Sequence, residues 1–328
     1  MSAPQKSEAR RLLEAQKASF LATPYVSASV RKDRLERLLD VLLRHETDIC
    51  NALMSDYGYR SADQSWFAEI VTSVKPIKVA HRNLKKWMKP ERRSTGFPFN
   101  IMGGRSSIEY QPLGVVGIIS PWNFPVNLTL SPLADVLAAG NRALIKPSEI
   151  TPATSEVMAR MMESAFDPTE VAVVTGGAEV GKDFSALPFD HLVYTGGETV
   201  ARHVMKAAAE NLVPVTLELG GKSPVVIGET AKLKLAAKRI LFGKMFNAGQ
   251  ICLAPDYVYV PEHLLKGFVS EMQVAAKECF PEQSGSSDYV SVVNDRHAKR
   301  IKEYLTEIKE YGGELVELGP SLPASKKS

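Results

Sequence analysis

Residues 115–146 read VVGIISPWNFPVNLTLSPLADVLAAGNRALIK. The first six form a short apolar run of the kind that fills a buried strand. A stretch of helical length opens at Pro125 and runs to residue 139, and RALIK at 142–146 is a second apolar run. Two such runs separated by a helix-length segment read as strand, crossover helix, strand. The texture continues downstream. Residues 151–166 are expected to form a helix, and 171–175 (VAVVT), 191–195 (HLVYT) and 213–217 (VPVTL) strands. Parallel strands joined by helices need both faces covered, so the expected fold is α/β with a doubly wound parallel sheet. Such sheets bind ligands beyond the carboxyl ends of their strands.

Upstream, residues 6–89 read as helices. Leu35, Leu38, Leu39, Leu42 and Leu43 recur at helical spacing, with Arg34, Glu36, Arg37 and Asp40 on the other face. Residues 92–105, rich in Gly, Pro and Ser, read as a loop or hairpin. Downstream of Leu219-Gly220-Gly221 a second α/β unit begins. Strands are expected at 223–227, 257–260 and 314–318, and helices at 231–247, 262–278 and 296–311. The tail at 319–328 (GPSLPASKKS) is polar and is expected to be disordered. The expected division is therefore residues 1–220, 221–318 and the tail 319–328.

The composition excludes several classes. At 328 residues the chain is long enough for two domains. A net charge of +3, with basic and acidic residues interleaved, lacks the basic stripe of a nucleic-acid binder. No apolar run is long enough for a membrane span, and the N-terminus lacks the apolar core of a secretory signal. A cytoplasmic location is expected. Three cysteines do not make a disulfide framework, and six scattered histidines show no zinc-ligand spacing, so no metal is expected.

Cys252 closes Phe246-Asn247-Ala248-Gly249-Gln250-Ile251-Cys252. The Gly-containing turn after a long helix lets the backbone approach a ligand, and the Cys252 N–H could face a developing oxyanion. The alternative is a thiol packed in a core, which is the reading given to Cys50 and Cys279. Glu218 lies between two leucines at the end of an apolar strand, followed by Gly220 and Gly221. It is either a surface carboxylate beside a turn or a general base raised in pKa by desolvation, with the glycines letting it swing. Asn123, in PWNFP, is either a helix cap or an amide donor to an oxyanion. Lys146 and Glu149, in KPSE, suit a nucleotide's hydroxyls and phosphate, or form a solvated pair. GGAEVGKD at 176–183 nearly matches a phosphate-cradling loop. Asp183 stands where a hydroxyl would hold magnesium, so the match is read as chance.

PWNFP, KPSE, YTGG, LELGGKSP and FNAGQIC, in this order, together resemble the aldehyde dehydrogenase superfamily, over about residues 110–260 and more loosely elsewhere. The short interval from Asn123 to Glu218 is most similar to the subgroup holding coniferyl aldehyde and fatty aldehyde dehydrogenases. The resemblance implies a Rossmann-like cofactor domain and an α/β catalytic domain, the latter incomplete here. No Glu-x-Phe-Gly-Pro motif follows, and the chain reads as C-terminally truncated. It implies Cys252 as the thiolate that attacks an aldehyde, Asn123 as oxyanion donor and Glu218 as the base that hydrolyses the thioester. Lys146 and Glu149 would contact the adenosine ribose of NAD, or of NADP. Gly196, Gly197 and Thr199 would lie beside the pyrophosphate, with Trp122 lining the cleft. Gly197 and Ala201 depart from the residues common at those positions, which bears on cofactor packing. The implied partner is a small aldehyde, hydrophobic or aromatic; full-length relatives are implied to form homo-oligomers. The alternatives are an acylating relative, against which Glu218 speaks, and an inactive fragment that binds only nucleotide or a partner chain.

Overall fold

A computed structural model describes residues 7–279 and 289–318. The chain divides into two compact units. The first is Met1–Ile49 with Phe67–Glu218, and the second is Cys50–Trp66 with Leu219–Ser328.

The amino-terminal helices are α1 (Glu8–Ala22), α2 (Ala28–Arg44), α3 (Glu46–Tyr57), α4 (Ala62–Ser65) and α5 (Thr72–Trp87), with a π-helical turn at Trp66–Val71. The Ser7 and Ser27 hydroxyls cap α1 and α2 by accepting the N–H groups of Arg10 and Val30. Leu35, Leu38, Val41 and Leu42 are buried as one stripe of α2. Two expectations for this helix are corrected. Leu43 is exposed, and Arg34 is buried rather than solvated. Helix α2 packs against α5, α6 and α7, so its covered face is wider than the leucine stripe. Glu170 makes burial of Arg34 tolerable, pairing with it at 2.9 Å and with Arg37 at 3.0 Å.

A hairpin of β1 (Glu91–Arg93) and β2 (Ser106–Ile108) spans the Gly-rich stretch. Then come β3 (Val115–Ile119), α6 (Asn127–Ala138), β4 (Arg142–Lys146), α7 (Pro152–Ala165), β5 (Val171–Val173), α8 (Ala178–Ser185), β6 (His191–Gly196), α9 (Glu198–Ala209) and β7 (Val215–Leu219). The sheet order is β5-β4-β3-β6-β7, and β3 pairs parallel with both β4 and β6. The chain builds outward from β3 to β5, then returns to add β6 on the other side. The order therefore reverses between β3 and β6, which is the switch point where open α/β sheets take ligands.

The second unit holds β8 (Ser223–Val226), α10 (Leu233–Met245), β9 (Pro255–Tyr259), α11 (Glu262–Cys279) and α12 (Asp295–Glu310). Strands β8 and β9 pair parallel. Ile227, Ala237, Ile240, Leu241, Phe268, Ala275 and Ala276 form the buried core. The strand expected at 314–318 is absent. Its residues pair with no strand among the described residues and stay mostly exposed, so alternation alone does not make a ladder. The tail at 319–328 lies outside the described residues. Among the described residues no helix is long and apolar enough to cross a membrane, and no cluster of His, Cys, Asp or Glu could hold a metal ion.

Candidate active site

Three loops of the first unit leave the carboxyl ends of β3, β4 and β6, whose ends are in register at Ile119, Lys146 and Tyr194. Trp122 and Asn123 follow β3, Lys146 ends β4 with Glu149 just beyond it, and Gly196 ends β6, with Gly197 and then Thr199 opening α9. The expected nucleotide-side residues are thus gathered at the carboxyl end of one sheet. Asn123 is not the cap of α6. That helix begins at Asn127, and its first turn is capped by the buried carboxylate of Glu69, which accepts the N–H groups of Val126 at 3.1 Å and Asn127 at 2.9 Å. Thr129 fastens the loop again, its hydroxyl bonding Ser120 Oγ at 2.7 Å and the Pro125 carbonyl at 2.6 Å.

Lys146 is buried, its ammonium donating to the Pro147 carbonyl at 2.6 Å and reaching the Glu149 carboxylate at 3.4 Å. Burial pulls its pKa down, and Glu149 offsets part of that. The KPSE turn is fixed by Ser155, whose hydroxyl donates to the Ser148 carbonyl at 2.9 Å. At the β6–α9 junction the Tyr194 hydroxyl donates to the Gly197 carbonyl at 3.1 Å and lies under Gly196, where any side chain would collide with it. Gly197 caps α9 without a side-chain hydrogen bond, and the space beside it is open. A helix start with no side-chain cap and open space beside it fits a phosphate-bearing ligand. Lys182, of the near-match to a phosphate loop, is instead an exposed residue of α8 paired with Glu179 at 2.7 Å.

Glu218 lies on β7, and the desolvation expected of it is not there. Residues alternate half-buried and exposed along β7, and Glu218 is on the exposed side. Strand β7 is the sheet's edge, so its outer neighbours do not cover it.

Cys252 is half-buried in a tight turn at 251–254 that feeds β9, and it is a free thiol. The turn before it is unusual. Asn247, Ala248 and Gly249 all have left-handed backbone, with φ of 50°, 53° and 72°. Only glycine adopts this region without cost, and three in succession need outside support. Asn247, fully buried, supplies some of it. Its N–H donates to Gln64 Oε1 at 2.8 Å, and its side-chain amide to the Gln250 carbonyl at 3.3 Å. Gln250 Nε2 donates to the carbonyls of Asn247 at 2.9 Å and Ser291 at 3.1 Å, and Gln250 Oε1 accepts the Val293 N–H at 3.0 Å.

The pairing of β8 with β9 lays Gly221 against this turn. A Cβ on Gly221 would stand 2.9 Å from the Cys252 carbonyl oxygen, whereas one on Gly220 would meet nothing within 4 Å. Sequence reasoning missed Glu69, Asn247, Gln250 and the need for glycine at 221. For the three polar residues the signal was present: isolated polar residues in apolar surroundings, each of which must find partners when buried. Of the other thiols, Cys50 lies near the Ala62 carbonyl at 3.8 Å, while Cys279 is exposed rather than packed.

The description "Aldehyde dehydrogenase family" matches residues 1–328. The chain is 49% identical over 311 residues to a probable coniferyl aldehyde dehydrogenase of Caulobacter vibrioides, covering 94% of this chain and 64% of that protein. It is 46% identical over 309 residues to the coniferyl aldehyde dehydrogenase of a Pseudomonas species, covering 94% and 63%. Among solved structures, Staphylococcus aureus AldH in a substrate-bound state superposes with a TM-score of 0.88 at 37% identity, covering 93% of this chain and 66% of that one. A NAD-dependent benzaldehyde dehydrogenase from Corynebacterium glutamicum superposes with a TM-score of 0.83 at 27% identity, covering 95% and 68%. The chain spans just under two thirds of the curated relatives' length. Its fold is a partial version of theirs, and the chain belongs to the aldehyde dehydrogenase family.

Proposed function

We propose that the chain carries the nucleophile, oxyanion donor, general base and nucleotide cradle for NAD-dependent oxidation of an aldehyde to its carboxylic acid. The Cys252 thiolate adds to the carbonyl carbon, and the carbonyl electron pair moves onto oxygen. The Asn123 side-chain amide and the Cys252 backbone N–H donate to that oxyanion. A nicotinamide held in the cradle would supply the two-electron acceptor for the hydride, and Cys252 is left carrying the acyl group as a thioester. Glu218 takes a proton from water as the water oxygen attacks the thioester carbon, and the thiolate leaves. The net change consumes the aldehyde, water and oxidised cofactor, and yields the acid, reduced cofactor and a proton. The exposed position of Glu218 gives water a path to it.

The observation that carries this reading is the setting of Cys252, in a turn held in an otherwise unfavourable backbone with the facing residue reduced to glycine. Such strain is kept where geometry is needed for chemistry. Lys146, Glu149 and the open helix start at Gly197 and Thr199 would hold the dinucleotide, with Trp122 beside it. NAD is favoured over NADP because the Glu149 carboxylate would repel a phosphate on the ribose. The substrate is a hydrophobic or aromatic aldehyde of the coniferyl aldehyde kind, a choice supported by the names of the two curated relatives. A cytoplasmic setting agrees with three free thiols.

The test is reduction of NAD and NADP by the chain with a panel of aromatic and aliphatic aldehydes, alongside Cys252→Ala. Turnover on aromatic aldehydes that vanishes in the variant is expected. Equal turnover in Cys252→Ala would sink the assignment.

A further inference from the structure

We propose that Gln250 is a positioning residue for Cys252, acting through the turn between them. The inference rests on the reading of Cys252 as nucleophile only for its catalytic meaning; the geometry stands apart from it.

A glutamine amide has two N–H donors and an acceptor oxygen. Gln250 uses both donors and the acceptor in one place. Nε2 donates inward, at 2.9 Å, to the carbonyl of Asn247, the first left-handed residue of the turn. It donates outward, at 3.1 Å, to Ser291, and Oε1 accepts the Val293 N–H at 3.0 Å. The receiving segment is itself held down. The Ser291 N–H donates to the Tyr59 carbonyl at 2.9 Å, and Val290 and Val293 are buried. One side chain thus fastens the left-handed turn to a fixed wall, two residues before the thiol.

Without that fastening the turn keeps the bonds of Asn247 but loses its tie to the 291–293 segment, part of the support that offsets its backbone cost. A residue such as Ala248, at φ 53°, gains by returning to a right-handed or extended conformation. That relaxation would carry Cys252 with it, because only Ile251 lies between Gln250 and the thiol. Gln250 touches no reacting atom in this scheme. Its effect is on where the Cys252 Sγ and N–H point.

The experiment uses the three thiols as internal references. The chain and its Gln250→Met and Gln250→Glu variants are treated with iodoacetamide, and the alkylation rates of Cys50, Cys252 and Cys279 are read separately by mass spectrometry. Gln250→Met keeps the length and removes every side-chain hydrogen bond, leaving the backbone bond from the Gln250 N–H to the Asn247 carbonyl. Gln250→Glu keeps the acceptor and removes both donors. In both variants Cys252 is expected to alkylate about tenfold faster as the half-buried thiol is released, with Cys50 and Cys279 unchanged. An unchanged Cys252 rate in a folded Gln250→Met overturns the proposal. If all three rates rise together in Gln250→Met, the variant has loosened generally and Gln250→Glu decides. A rise confined to Cys252 then supports positioning, and any other pattern overturns it. In turnover, kcat per folded chain, the folded fraction being read by circular dichroism, is expected to fall with KM for aldehyde and NAD unchanged; a fall that disappears after this correction reports destabilisation and not positioning. A Gln250-dependent Cys252 in a chain that oxidises no aldehyde would leave the positioning standing and the proposed activity fallen.

Discussion

At the scale of single residues, two neighbouring glycines make opposite predictions. Gly221→Ala puts a methyl 2.9 Å from the Cys252 carbonyl oxygen, closer than real side chains come, so the Cys252 turn must move. Aldehyde turnover is expected to fall about a hundredfold, the scale of a 1 Å misplacement, while NAD binding, measured by calorimetry, persists. Gly220→Ala meets nothing within 4 Å and is expected to change melting by less than about 0.5 kcal/mol. Equal effects of the two substitutions would refute the steric account. Cys252 was legible as a candidate in the sequence because a cysteine after a Gly-containing turn is a recognisable pattern. The role of Gly221 was not. Its neighbour across the β8–β9 pair is 31 positions away in sequence, and nothing local says that a side chain there would strike a backbone oxygen.

At the scale of elements, the first turn of α6 depends on Glu69, whose carboxylate accepts two backbone N–H groups in a buried setting. Glu69→Ala leaves those donors without that acceptor, and an expected loss of about 2–4 kcal/mol follows from chemical denaturation midpoints. Glu69→Gln retains one acceptor and is expected to lose less. An equal loss in the two variants would show that packing, and not capping, is what Glu69 provides. The elements themselves were mostly readable. Apolar runs bounded by turn residues marked β3, β4 and β6, and leucine spacing marked α2. Elements failed to be legible where the deciding partner was distant. Arg34 looked solvated until Glu170 supplied a buried countercharge, and residues 314–318 looked like a strand until no ladder partner was found among the described residues. The cap of α6 was assigned to Asn123 as one alternative because asparagine is a good local cap; the actual cap comes from 58 residues upstream of Asn127.

At the scale of the whole molecule, two histidines set an acid response. Burial pushes His191 below its ordinary 6.5, and it bonds the Thr216 hydroxyl at 2.9 Å. His297 is lowered by burial first and by Arg300 and Arg296 next. In each case the unfolded chain binds a proton more readily than the folded one. Stability is therefore complete above about pH 6.5 and declines as pH falls from there through the folded-state values. The melting temperature is expected to drop between about pH 7 and pH 5, and to drop less steeply in His191→Gln. A pH-independent gap between wild type and variant would contradict this. The fold class was legible from residues 115–146 outward, because alternation of strand and helix is encoded locally. The setting of Cys252 was not, because it is assembled from separate stretches of chain around residues 64, 221 and 291–293.

That assembly has a consequence for the order of events at the ribosome. The turn ahead of Cys252 takes one bond from Gln64, 183 positions earlier, and two from residues 291 and 293, about 40 positions later. Contacts so far apart in sequence close late. Until residue 293 has left the exit tunnel, the thiol has been made but its turn has no wall to lean on. The Cys252 thiol is therefore synthesised about 40 residues before the last of the bonds that fix its turn can form.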